Sequence, residues 1–339
     1  MLKSLHAAEL EQIIRFQQIA IPEVVMKALS NLGPSAYLMG LLGLIYLCGN
    51  ATLGARLLLV YFGSEVLSYW TKLAFHSPRP FWMDERVHAF EPNATSYGLP
   101  SGHSLVATCV WFMLARSVQK SWFWLISLAV VLLISLSRVW LGAHFASDVA
   151  AGWVLGGAFI VLFVWAERRF RQFLIDLSLR SQILWSVLVA LTIVSIGLAL
   201  HSVAQNSVDP TQWPRYPAIT RSFRSAGSYA GAILGLGIGL AMAARWARFD
   251  AGGRLTKRFL RILILAAGAT LYWLRPRNLL KDMPDLLGFS LLLVACTMAA
   301  WGFTFLVPWF FLRIGLAERS VPTAPSASFP DSTLQPKAP

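Results

Sequence analysis

Long apolar stretches recur along this chain, and they constrain its fold more than any other feature. We place about nine of them, using the roughly 20 residues that a helix needs to cross a bilayer. They fall at 35–48, 52–73, 103–118, 122–140, 144–166, 183–204, 228–246, 258–274 and 286–313. Helices satisfy their own backbone hydrogen bonds in lipid. The pattern therefore predicts an all-α, polytopic transmembrane helical bundle of about nine spans.

The composition also indicates an integral membrane protein. Apolar residues make up 56% of the chain and charged residues 13%, whereas about a quarter of a soluble protein is charged. The net charge is +13, but the basic residues form short clusters between apolar stretches. That distribution is typical of the cytoplasmic loops of membrane proteins, and no nucleic-acid partner is expected.

Around a core at residues 35–166, which covers the first five spans, the chain divides into four further segments. Residues 1–34 are amphipathic and are predicted to lie along the membrane interface. Residues 167–182 are predicted as a basic cytoplasmic loop, and residues 183–317 as additional spans of unknown role. Residues 318–339 are rich in Pro, Ser and Ala and are predicted to be a disordered tail.

Basic clusters predict the orientation, and glycines predict one helix contact. An odd number of spans puts the termini on opposite sides, and the positive-inside rule then places the clusters at 168–180 and 245–261 in the cytoplasm with the C-terminus.

In the seventh span, glycines recur at every fourth residue from Gly227 to Gly239. This stripe predicts close packing against another helix of the same chain.

Polar motifs stand at the ends of apolar stretches in the core. The first runs from Lys72 to Arg79-Pro80, the second is Pro100-Ser101-Gly102-His103, and the third is Ser137-Arg138 followed by His144 and Asp148. Ionisable residues inside a membrane are costly and usually functional. The three motifs can meet at one membrane face, away from the cytoplasm, where their cations and histidines would hold and attack a phosphate.

His144 and Asp148 are spaced as a catalytic pair. Four residues apart at a helix start, they share one face, so the carboxylate can accept one ring proton and leave the other nitrogen nucleophilic. By itself such a pair is more typical of an interfacial capping contact. Arg138 would need an anion to hold. Lys72 and Arg79 are candidate phosphate ligands, although basic residues are ordinary at a membrane boundary.

The second motif predicts a tight turn before a helix. The amides of Ser101 and Gly102 would then form an anion site at the helix N-terminus. His103 can donate a proton to a leaving group. The alternative is a serine N-cap beside an incidental histidine.

Further polar residues are secondary candidates. Glu65 lies two turns before Lys72 on the same helix face, where it either pairs with a cation of the site or makes a structural hydrogen bond. His76 and Tyr97 flank the loop between the first two motifs and can touch the substrate. Because the histidines have acid–base roles, no ligand set remains for a metal.

Taken together, the motifs resemble the signature of the type 2 phosphatidic-acid phosphatase superfamily, most strongly over residues 35–166. The stretch from residue 79 to residue 103 resembles bacterial membrane members. The resemblance implies a phosphatase without metal or cofactor that forms a phosphohistidine. In this mechanism His144 attacks phosphorus, Asp148 orients the ring of His144, and His103 protonates the leaving group. The implied phosphate ligands are Lys72, Arg79, Arg138 and the amides of Ser101 and Gly102.

The resemblance leaves the substrate open. A site at the membrane interface favours a lipid phosphate or diphosphate, with isoprenyl diphosphate, phosphatidate and phosphatidylglycerophosphate as candidates. One alternative is a sugar-phosphate phosphatase of the glucose-6-phosphatase type, which also has nine spans. Another is a non-enzymatic membrane transporter or scaffold, which would not need the full catalytic set. The expected location is a bacterial inner membrane, with the site facing the periplasm or exterior; the sequence does not predict the oligomeric state.

Overall fold

Residues 2–91, 96–206, 222–274 and 283–320 are described by a computed structural model. Most of this part is helical, which confirms the predicted all-α class. Its strands are the two-residue β1 (Phe249–Asp250) and β2 (Glu318–Arg319), which pair antiparallel. The first two residues of the predicted disordered tail at 318–339 are therefore paired in β2, and residues 321–339 lie outside the described part.

The helices follow the apolar pattern of the sequence. They are α1 Leu2–Gln17, α2 Glu23–Ser30, α3 Ala36–Leu44, α4 Ala51–Phe75, α5 Pro80–Met83, α6 Gly102–Val118, α7 Ser121–Trp140, α8 Ala146–Asp176, α9 Leu179–Asn206, α10 Arg224–Trp246, α11 Leu255–Leu274, α12 Asp285–Trp301 and α13 Val307–Arg313. Short π-helical turns at Ile45–Gly49 and Gly302–Leu306 extend α3 and join α12 to α13.

Five helical stretches of the described part are long and apolar enough to cross a membrane. They are α7, α8, α9, α10 and the continuous stretch from α12 to α13. The figure of about nine spans therefore stays a prediction. The integral membrane character of the chain follows from these five alone.

Most of the segment at residues 167–182, predicted as a basic cytoplasmic loop, is helical. The helix α8 continues to Asp176, and α9 begins at Leu179. Arginine and glutamate are good helix formers, so α8 extends beyond its apolar part instead of ending with it. Glu167, in this extension, pairs with Arg56 of α4.

Close packing of α8 on α6 brings two motifs together. A Cβ atom on Gly156 would lie 2.7 Å from the Leu105 carbonyl oxygen, and one on Gly152 would lie 2.8 Å from the Ser101 carbonyl oxygen. Side chains at these positions would separate the two helices. At their shared end, the Ser101 amide donates to the carbonyl oxygen of Asp148 at 2.9 Å.

The glycine stripe of α10 faces α12. Cβ atoms on Gly227, Gly231 and Gly235 would overlap backbone carbonyl oxygens of α12. The prediction of close packing within the chain is therefore confirmed.

Candidate active site

The motifs converge at one end of the bundle. Lys72 lies in the last turn of α4, His103 in the first turn of α6, and Arg138 in the last turn of α7. The charges of Lys72, Arg79 and Arg138 all act on His144. The same three charges act on His103. The structure thus places the predicted cations and histidines within electrostatic reach of one another.

His144 is oriented by a carboxylate. It lies in the connection between α7 and α8, just before the helix rather than inside it. Its Nδ1 is 3.3 Å from Oδ2 of Asp148, and the same oxygen accepts a hydrogen bond from the Phe145 amide at 3.0 Å. Both side chains are buried. With the Nδ1 proton shared with Asp148, Nε2 keeps its lone pair and can act as a nucleophile.

Arg79 holds its guanidinium beside that nitrogen. Its Nη1 lies 3.3 Å from His144 Nε2 and donates to the Ala143 carbonyl at 2.9 Å. Its Nε and Nη2 donate to the carbonyl and hydroxyl oxygens of Ser96 at 2.7 and 3.0 Å. Burial, followed by the nearby charge of Arg138, lowers the pKa of Arg79 to about 10. The guanidinium therefore stays protonated at neutral pH.

Lys72 is anchored by the loop before α6. Its Nζ donates to the carbonyl oxygens of Tyr97 at 2.6 Å and Gly98 at 3.3 Å. An ammonium group has three donors, so one is left for a ligand. The Tyr97 ring is buried and meets His76 edge to face, with centroids 5.2 Å apart. His76 and Tyr97 therefore pack together next to the loop that holds Lys72.

Arg138 has an anionic partner that sequence analysis did not identify. Its Nη2 donates to Glu91 at 2.8 Å and its Nη1 to the Ser30 hydroxyl at 2.7 Å. Burial raises the pKa of Glu91, but the hydrogen bond and charge of Arg138 outweigh it and lower the pKa overall. The Nε atom of Arg138 is buried and has no hydrogen-bond partner within the described residues. One donor of Arg138 can therefore still bind a phosphoryl oxygen.

The Ser101 amide has an acceptor within the protein. It donates to the Asp148 carbonyl at 2.9 Å, which joins α6 to α8. The Gly102 amide lies in the first turn of α6, where the helix supplies no acceptor. It remains the amide of this motif that can face a phosphate. His103 is adjacent, and a Cβ on Gly33 would lie 3.1 Å from its Cδ2 atom.

Glu65 makes a structural hydrogen bond and also acts electrostatically on one cation of the site. It accepts a hydrogen bond from the Tyr229 hydroxyl of α10 at 3.2 Å, and its charge acts on Lys72. Tyr229 lies 164 positions along the chain, so no local pattern identifies it as the partner.

Helix α1 covers the loops that hold the site, and sequence analysis missed this contact. The buried Glu9 accepts hydrogen bonds from the Ser147 amide at 2.7 Å and hydroxyl at 2.9 Å, at the start of α8. The His6 ring stacks on Phe145 with centroids 4.3 Å apart. The available signal was a carboxylate on the apolar side of an amphipathic helix. Such a group needs a buried partner.

These contacts assemble the parts that phosphoryl transfer requires. Nε2 of His144 is the ring nitrogen that Asp148 does not hold, and Arg79 lies 3.3 Å from it. The charges of Lys72 and Arg138 also act on His144 and on the second histidine, His103. Positive groups fixed in place stabilise the charge that builds up on phosphoryl oxygens. Within the described residues, no group of three or more His, Cys, Asp or Glu side chains is arranged to hold a metal ion.

Comparison with known proteins agrees with this geometry. Residues 53–172 match the PAP2 superfamily, and residues 227–319 match the transmembrane extension of PAP2 superfamily phosphatases.

Three relatives illustrate the range of similar proteins. An undecaprenyl-diphosphatase of Sulfolobus acidocaldarius is 31% identical, over 44% of this chain and 72% of that protein. Phosphatidylglycerophosphatase B of Bacillus subtilis is 29% identical, over 44% of this chain and 78% of that protein. Glucose-6-phosphatase 3 of Bos taurus is 29% identical, over 52% of this chain and 59% of that protein. The chain therefore belongs to the PAP2 superfamily and is a membrane phosphatase of that type.

Proposed function

We propose that the chain hydrolyses a lipid phosphate or diphosphate through a phosphohistidine on His144. One observation carries this proposal. Nδ1 of His144 is held by Asp148 while Nε2 points at the Arg79 guanidinium, 3.3 Å away. A phosphoryl group bound next to both, with its phosphorus facing Nε2 and its oxygens hydrogen-bonded to the guanidinium, would be both attacked and neutralised.

In the first step, Nε2 of His144 attacks phosphorus, and the bond from phosphorus to the leaving oxygen breaks. His103 supplies a proton to that oxygen, so the alcohol or phosphate leaves with one negative charge fewer. Lys72, Arg79 and Arg138, with the Gly102 amide, hold the remaining phosphoryl oxygens. Asp148 stabilises the positive charge that forms on the ring of His144.

In the second step, water cleaves the phosphohistidine. His103, now without its proton, takes one from the water as the water oxygen attacks phosphorus. The bond from phosphorus to Nε2 breaks, inorganic phosphate leaves, and His144 and His103 return to their starting states. No step requires a metal ion or cofactor.

A lipid substrate is favoured by the surroundings of the site. The apolar helix α7 ends at the site and the apolar helix α8 begins there. A headgroup can therefore reach the histidines while the lipid tails stay in the bilayer. Two relatives are named for undecaprenyl diphosphate and phosphatidylglycerophosphate. The candidate substrates are isoprenyl diphosphate, phosphatidate and phosphatidylglycerophosphate. Similarity to glucose-6-phosphatase 3 supports a sugar phosphate as the second candidate.

A substrate panel tests the proposal. Purified protein in detergent micelles with a strong chelator is given the three lipids and glucose 6-phosphate, and phosphate release is measured. We expect at least one lipid to have the highest kcat/KM and the chelator to leave activity unchanged. A higher kcat/KM on glucose 6-phosphate would reject the lipid assignment, and activity that depends on added Mg²⁺ would reject the metal-free mechanism.

We place the site on the periplasmic or exterior face of a bacterial inner membrane, with the C-terminus in the cytoplasm. The basic residues at 245–261 support this orientation. Single cysteines at Glu85 and Arg254, which are both exposed, test it in a chain whose three native cysteines are replaced. In intact cells an impermeant thiol reagent should label the first and not the second. The reverse pattern would put the site in the cytoplasm.

A further inference from the structure

A groove lies beside the site, between α1, α7 and α8. Its volume is about 540 Å³, within the range of small-molecule sites. Its walls are mostly apolar and include Ile13 and Phe16 of α1, Leu136 of α7 and Val149 of α8. Leu136 is 48% exposed on a helix that is long and apolar enough to span the membrane. The groove is therefore open on the side where lipid chains lie.

The groove adjoins the catalytic residues on both helices. On α7 its lining residue Val139 directly follows Arg138. On α8 its lining residues Ala146 and Val149 flank Asp148. The groove therefore begins at the ends of α7 and α8 that carry Arg138 and Asp148, although these two side chains do not line it.

Hydrogen bonds connect the groove wall to the second motif. Trp153 and Ser135 both line the groove, and the indole nitrogen donates to the Ser135 hydroxyl at 2.9 Å. Ser135 donates to Ser104 at 3.0 Å, and Ser104 donates to Ser101 at 3.1 Å. The wall and the turn before His103 are thus fixed relative to each other.

Helix α1 closes the third side and is tied to the site. Glu9 holds the start of α8 through both Ser147 hydrogen bonds. Gln17, at the other end of α1, donates to the carbonyl oxygens of His88 and Trp140, each at 2.9 Å. The groove is therefore built partly by the N-terminal segment, outside the residues 53–172 that match the PAP2 superfamily.

We propose that this groove binds the hydrocarbon chain of the substrate lipid next to its phosphate, with α1 as the outer wall. The proposal rests on the proposed function, because it places the phosphate at His144. An amphiphile with an anionic head fits this arrangement, because the groove walls are mostly apolar and the catalytic site lies at the same ends of α7 and α8. Glu9, the charged residue of the lining, is already hydrogen-bonded to Ser147. Binding of the hydrocarbon chain then raises kcat/KM, although this chain does not contact the reacting atoms.

Filling the groove tests this. The variant Leu136→Trp places a large ring in it, while Leu128→Trp, on the same helix at 45% exposure and outside the groove, is the matched control. Each is assayed on a long-chain lipid phosphate in micelles and on water-soluble phenyl phosphate. Because each displaced methylene lowers kcat/KM roughly fourfold, we expect Leu136→Trp to lose about 100-fold on the lipid. Activity on phenyl phosphate should be unchanged, and Leu128→Trp should match wild type on both.

Crosslinking gives a readout that does not depend on turnover. A lipid phosphate with a diazirine on the first carbons of its chain should label peptides within residues 132–153. The corresponding alcohol, which lacks the phosphate, should label them much less.

The outcomes separate the two proposals. Failure of wild type to release phosphate from either substrate would reject the proposed function. Equal losses of Leu136→Trp on both substrates, or no loss on the lipid, would reject the groove. Equal labelling by the alcohol would also reject it, because the groove would then hold bilayer lipid without regard to the phosphate.

Discussion

Replacing His144 by alanine should lower kcat by roughly 10⁴–10⁶-fold, the loss typical of a removed nucleophile. No other described side chain has a nitrogen that is both oriented by a buried carboxylate and adjacent to Arg79. The variant Asp148→Asn should lose roughly 10²–10⁴-fold, because the amide cannot stabilise the charged ring. Steady-state phosphate release on the best lipid of the panel measures both effects.

The matched control is His88→Ala. The His88 side chain is exposed, and its described hydrogen bonds with Gln17 use backbone atoms. We expect kcat within about twofold of wild type for this variant. Turnover by His144→Ala at the rate of His88→Ala would remove His144 from the mechanism.

Replacing Arg79 by lysine should lower kcat/KM by roughly 10²–10³-fold, although the positive charge is kept. The planar guanidinium bonds Ser96 and Ala143 and still reaches His144 Nε2. An ammonium group cannot reproduce that fork of donors. The loss should fall on kcat more than on KM, because the charge on the phosphoryl oxygens grows in the transition state.

Arg86→Lys is the control for this substitution. Arg86 lies in the following loop, 60% exposed, and pairs with Glu11 and Asp84. A lysine there should leave kcat/KM within about twofold, since exposed ion pairs contribute little. If Arg79→Lys behaved in the same way, the guanidinium would be a structural anchor and not a phosphate ligand.

Much of this site could be predicted from the sequence because its motifs are local. The four-residue spacing of His144 and Asp148 predicts their contact, and that contact is present at 3.3 Å. The positions of Lys72 and Arg138 at helix ends likewise follow from where the apolar stretches stop. Charged groups at such boundaries can meet at one face of the bundle.

The contacts that could not be predicted join distant segments. Glu91 and Arg138 are 47 positions apart, and Glu9 and Ser147 are 138 apart. Nothing in either segment specifies the other, so only the packed structure reveals these partners. The acceptor of the Ser101 amide could not be predicted for the same reason, because it belongs to the helix α8 that packs beside it.

Helix ends were also harder to predict than helix positions. An apolar stretch marks where a helix is buried in lipid and not where its hydrogen bonds stop. The run of good helix formers that includes Glu167 therefore continues α8 to Asp176.

Trapping of the phosphoenzyme tests directly whether His144 is the nucleophile. Wild-type protein is mixed briefly with a substrate that carries labelled phosphorus, quenched in alkali and digested, and the labelled peptide is identified. We expect a label that is stable in alkali, lost in acid, located on His144 and absent from His144→Ala. A label on another residue, or undiminished labelling of His144→Ala, would contradict it.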